Sequence, residues 1–215
     1  MTFRRTLSVA FLAVACVAPA AVPAQAASGD AVAEGAAGAV KMEQAGGPVT
    51  VAPIAPCTTD GPAQGSAGEV SAPGVATFAD SSTTCTVDGA GEIASATVTG
   101  GGFRFDALRE HGGPRIRLSG YTATCGTTVG GSNSSIEFEG LSGVQVPAEL
   151  PSNYLVTIPG QGDAPMATVT FNEVLVPSPP DGSMTVHLMH IRMFPEGGPA
   201  RGDVHVGTVR CAPSD

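Results

Sequence analysis

Short runs of alternating apolar and polar residues recur along the chain. Ala94, Ala96 and Val98 alternate with Ser95, Thr97 and Thr99, and Ile136 and Phe138 alternate with Glu137 and Glu139. Ala167, Val169 and Phe171 alternate with Thr168, Thr170 and Asn172. A period of two is the mark of a strand with one face buried. After Asn172-Glu173 the apolar positions shift to Val174 and Val176, a one-residue phase slip that predicts a β-bulge. Met184 to Met193 is apolar on both parities and reads as a long central strand, and Val204, Val206 and Thr208 alternate with Asp203, His205 and Gly207 in the last one. Only Asp106 to Glu110 is helix-like, and it amounts to a single turn.

Turn signals separate these runs at intervals of about 8–15 residues. They include Gly46-Gly47-Pro48, Asp60-Gly61-Pro62, Asp88-Gly89, Gly112-Gly113-Pro114, Gly130-Gly131 and Pro179-Pro180-Asp181-Gly182. That rhythm leaves no room for long helices. It predicts an all-β fold, an antiparallel β-sandwich of roughly 8–10 strands in one domain over residues 38–215. Residues 27–37, small and unpatterned, read as a flexible leader.

The first 26 residues belong to a different class of segment. Arg4 and Arg5 precede a short apolar run from Thr6 to Ala15, and Ala24-Gln25-Ala26 has the small-x-small form that signal peptidase accepts. The expected product is a secreted protein beginning at Ala27. Amino-terminal sequencing of the exported protein checks this, and an acylated Cys16 at its start would mean a lipoprotein instead. No later apolar run has the length of a transmembrane helix, so no stable membrane insertion is expected after cleavage.

Export changes the reading of the cysteines. With Cys16 removed, Cys57, Cys85, Cys125 and Cys211 remain, an even number in an oxidising compartment, which favours disulfides over metal. Three pairings are possible. The favoured one joins Cys57 to Cys85 locally and ties Cys125, in a central strand, to Cys211 in the last.

Ten basic against 19 acidic residues give a formal charge of −9. Such a surface repels nucleic acid and anionic lipid. With no tryptophan and two tyrosines, platforms for stacking sugars or bases are few.

Several stretches resemble the choice-of-anchor P proteins of bacterial surfaces and secretions. They are Gly47 to Pro53, Thr122 to Cys125, Thr168 to Glu173, Asp181 to Ile191, and Gly202 to Thr208 ahead of Cys211. His187 and Leu188 stand where that family usually has Asn and Ala. The resemblance spans roughly residues 37–211 and implies an extracellular β-rich module, with no catalytic residues to carry over.

Candidate chemistry is sparse. Glu137 and Glu139 share one strand face at about 7 Å, within the ~5–9 Å at which paired carboxylates hydrolyse glycosides. The alternation places both in solvent, with no aromatic floor for a sugar. His187 and His190 have opposite parity, so an unbroken strand sends them to opposite faces and no shared metal site with His205 is expected; His111 sits in a glycine turn. Asp60, Asp88, Asp163 and Asp181 lie in turns without the D-x-D-x-D spacing of a calcium loop, and there is no G-x-S-x-G elbow. Arg201-Gly202-Asp203 spells an integrin-recognition tripeptide in a turn. The expectation is a non-enzymatic secreted or cell-surface module, structural or adhesive, with no cofactor. Its partner is an extracellular protein or wall polymer. The alternative is a carbohydrate-binding or carbohydrate-active protein using Glu137 and Glu139.

Overall fold

The computed structural model describes residues 29–160 and 164–214. The signal-peptide boundary at Ala27, Cys16 and Asp163 lie outside them. Sixteen strands follow one another: β1 (Val32–Gln44), β2 (Gly47–Val51), β3 (Cys57–Thr58), β4 (Gln64–Ala67), β5 (Val70–Ala72), β6 (Ala76–Phe78), β7 (Ser81–Val87) and β8 (Ala94–Gly100). Then come β9 (Phe103–Phe105), a single 3-10 turn at Ala107–His111, β10 (Ile116–Leu118), β11 (Gly120–Thr128), β12 (Gly131–Glu139), β13 (Tyr154–Pro159), β14 (Pro165–Leu175), β15 (Met184–Met193) and β16 (Arg201–Ala212). There is no α-helix among the described residues.

One layer is a seven-stranded antiparallel sheet in the order β13-β14-β15-β16-β1-β2, with β3 also on β1. Against it lie a five-stranded sheet, β12-β11-β8-β7-β4, and a four-stranded one, β10-β9-β6-β5. The two smaller sheets are one layer broken along a line. The offset that pairs Phe78 with Phe103 also pairs Ser81 with Gly100, and the offset that pairs Ile116 with Phe105 also pairs Tyr121 with Gly100. Each long strand is interrupted at that line, at Ala79-Asp80, Gly101-Gly102 and Ser119, and Gly102 and Gly140 take positive φ there. These breaks and the short strands β2 to β5 account for the strand count above the 8–10 expected.

The large sheet is creased along a matching row. Asn153, Asn172, Leu188, Gly207 and Ala37 fall on one transverse line, and the ladders skip it while keeping register on both sides. Asn153, Asn172 and Gly207 have φ of 58°, 49° and 60°, conformations that asparagine and glycine adopt more readily than other residues. Across this row the inward positions change parity in the strands that cross it. They run Ala33, Gly35, Ala37 and then Gly38, Val40, Met42 in β1, and Val204, Val206 and then Val209, Cys211 in β16. The predicted bulge at Asn172-Glu173 is therefore not an extra residue in one strand. It is a slip shared by neighbours.

The crease separates two packing regimes. Below it Gly35 faces Ala96 and Val98 of the five-stranded sheet; above it a Cβ on Gly38 would lie 2.1 Å from the ring of Phe78, so only glycine admits that ring. Tyr121 fills the seam, its hydroxyl donating to the Ala37 carbonyl at 2.8 Å in the row where the ladder lapses. Both disulfides, Cys57–Cys85 and Cys125–Cys211, join the large sheet to the five-stranded one, in the favoured pairing.

Residues 31–37 are not a flexible leader. From Val32 they form the first half of β1, paired with β16, with Ala31, Ala33 and Ala37 buried. Small alternating side chains gave too little hydrophobic contrast to read as a strand. β15 is central as expected, but β1, β14 and β16 are longer.

Candidate functional site

Two features of the surface hold chemistry: a cluster of histidines on the outer face of the large sheet, and a field of hydroxyls on the outer face of the five-stranded sheet.

The histidine cluster is a product of the crease. In β15 Val186 and Leu188 point inward, then Met189 and Ile191 do, so His187 and His190 emerge on the same outer face. This corrects the opposite-face expectation, because the parity slip at Leu188 falls between them. The slip at Gly207 likewise puts Thr208 on the face of His205. His190 lies directly opposite His205, and His187 opposite Thr208 on one side and Glu173 on the other. The rings of His187 and His205 stack at 4.3 Å with 16° between planes, and those of His190 and His205 are 4.4 Å apart.

Hydrogen bonds assign the charges. His190 donates from Nδ1 to both carboxylate oxygens of Glu173 at 3.0 Å and from Nε2 to Asp203 at 2.8 Å. A ring that donates from both nitrogens is an imidazolium. Burial works against its charge, but the bonds to Asp203 and Glu173 overcome it and push its pKa up to about 9. The bond from His190 holds Asp203 down to about 2. Burial opposes ionisation of Glu173, yet the bond to His190 and the charge of that ring outweigh it and keep its carboxyl below the usual range. His187 is the reverse case: burial, then its neighbour His205, brings it down to about 4. His205 is lowered by burial and next by the charge of His190. His187 Nδ1 shares a 2.8 Å hydrogen bond with Thr208. Its Nε2 is 3.9 Å from Glu173, and a neutral ring at that distance makes no ion pair.

The cluster is thus one charged imidazole clamped between two carboxylates from adjacent strands, beside two neutral ones. No three His, Cys, Asp or Glu side chains among the described residues converge as metal ligands do. A shallow groove of about 570 Å³ runs beside it over Thr157, Thr168 and Thr170.

The second feature is regular. Gln64, Thr84, Thr97, Thr124 and Ser135 form one transverse row, and Ser66, Ser82, Thr99, Thr122 and Glu137 the next. All ten side chains are exposed or half-exposed. Strand geometry spaces the hydroxyls at about 4.8 Å across and about 6.8 Å along the strands. Glu137 and Glu139 lie at the β12 margin of this face, both exposed.

The integrin-type tripeptide is not a projecting loop. Gly202 pairs with Met193 and Met42, Arg201 bonds Glu43 at 2.5 Å, and Asp203 is held by His190 and Arg192. Asp88 and Asp181 accept bonds within their own turns, from Glu92, Ile93 and Ser183.

The chain matches no protein-family model, no curated protein and no solved structure. The site is therefore interpreted on its own chemistry. The two disulfides indicate an oxidising environment, and no helix among the described residues is long and apolar enough to cross a membrane.

Proposed function

We propose that this protein is a secreted or cell-surface β-sandwich module of the choice-of-anchor P kind, non-enzymatic and adhesive or structural in role. Its contact surface is the outer face of the five-stranded sheet. The observation that supports this reading is the neutrality of that face. Glu137 is the single charged side chain in the two hydroxyl rows, on a chain of net charge −9. A neutral field of donors and acceptors suits an extended, uncharged, hydroxyl-rich surface such as a wall polymer. A carbohydrate-active role for Glu137 and Glu139 is the second reading, favoured by Glu137 ending a hydroxyl row.

Binding to insoluble neutral polysaccharides and wall polymers tests the choice. Retention on such a polymer is expected, with affinity falling about tenfold, some 1.4 kcal/mol, in Thr97→Lys and Thr124→Lys. Glu137→Gln and Glu139→Gln should leave it nearly unchanged. Retention indifferent to the threonine variants would remove this face as the contact surface. Glycan hydrolysis abolished by Glu137→Gln would replace adhesion with catalysis.

A further inference from the structure

Among the described residues, most of the strands that end the three sheets carry a feature that discourages pairing with another chain. β2 holds Pro48, β12 carries Glu137 and Glu139, and β4, β5 and β10 are only four, three and three residues long. Proline, charge and shortness are the usual protections of a sheet edge.

β13 is six residues long and uncharged, and its proline, Pro159, comes only at the last position, where the register against β14 shifts. Its sequence, Tyr154-Leu155-Val156-Thr157-Ile158-Pro159, is rich in β-formers. Among the described residues it pairs with β14 alone, and its residues make no backbone hydrogen bond to any other described element. On the outer face Leu155 is 56% exposed and Thr157 is exposed beside it.

We propose that β13 is a self-association edge through which two copies of this chain join about a twofold axis, β13 antiparallel to β13, into one continuous fourteen-stranded sheet. Antiparallel pairing of identical strands is self-complementary. With the axis at Val156, Leu155 of each copy meets Thr157 of the other on the outer face, and Tyr154 meets Ile158 on the inner. Each of these pairs is uncharged. A strand of this length spans roughly 20 Å and buries roughly a few hundred Å² per copy, less than the ~800 Å² of a standard interface. The dimer is accordingly weak and concentration-dependent.

Analytical ultracentrifugation of the disulfide-intact protein over a wide concentration range tests this, with backbone hydrogen exchange at the two extremes. The expected result is a reversible monomer–dimer equilibrium in which β13 amides slow their exchange as concentration rises. Leu155→Lys or Thr157→Lys should weaken it at least tenfold, Thr50→Lys on β2 should not, and all three should melt close to the parent. Mixing Leu155→Glu with Thr157→Lys should restore dimer, because each substituted position faces the other. A protein monomeric throughout would overturn the proposal. So would a dimer that persists unchanged in both lysine variants, or β13 protection that appears only when some other protein is added.

Discussion

Replacing Cys125 and Cys211 together by alanine is expected to lower the melting temperature by roughly 10–15 °C. The pair closes a loop of sequence separation 86, and chain entropy assigns such a loop about 4.5 kcal/mol. For a domain of this size each kcal/mol moves the midpoint by about 2–4 °C. The structure adds a second reason for a large effect. Cys125 is on β11 and Cys211 on β16, so the bond fastens the two layers directly. Cys57–Cys85, at separation 28, should cost about 1 kcal/mol less when removed. The two links leave the five-stranded sheet from one transverse row, Cys85 and Cys125 flanking Ala96. Removing both is therefore expected to separate the layers rather than add two independent losses. Thermal melts of the oxidised parent and the two double variants provide the test. A Cys125/Cys211 variant melting within a few degrees of the parent would show that the core holds the layers unaided.

Stability should also peak near neutral pH and fall on both sides, for opposite reasons. His187 is lowered to about 4 from an ordinary 6.5. The unfolded chain therefore binds more protons between those values, and stability is lost as pH falls from 6.5 towards 4, by at most about 3 kcal/mol. His205, also lowered, acts in the same direction. His190 is raised to about 9, so its contribution is complete below 6.5 and is lost as pH rises through 9. That contribution, again at most about 3 kcal/mol, is shared with Glu173 and Asp203 and is not to be counted again for them. Their own depressed pKa values add a further loss only in strong acid, as pH falls through about 2 for Asp203. Urea unfolding across pH 4–9.5 reads the curve. His190→Leu should be less stable at pH 7, because it leaves two carboxylates facing each other, and its alkaline decline between 6.5 and 9 should vanish. A parent whose stability is flat from pH 6.5 to 9, or a His190→Leu variant that keeps the decline, would remove the clamp from the account.

The sequence by itself determined the class of fold, because local features set it. Alternation at Ala94–Thr99 and Ala167–Asn172 and the closely spaced turn residues demand strands. The lone helix-like stretch became one 3-10 turn at Ala107–His111. The disulfide pairing was legible too, from an even cysteine count and the wish to tie a central strand to the last. Glu137 and Glu139 emerged in solvent as the alternation required. The Asn172 slip was visible in β14, but its meaning was not. A single strand cannot reveal that Leu188, Gly207 and Ala37 slip in the same row, because which residues become neighbours is settled by strands far apart in sequence. Only that shared slip turns His187 and His190 to one face and sets Glu173 and Asp203 on either side of His190. The start of β1 was hidden for a different reason. Alanine and glycine differ little in hydrophobicity from the chain around them, and they become buried only because β16 and the five-stranded sheet close over them.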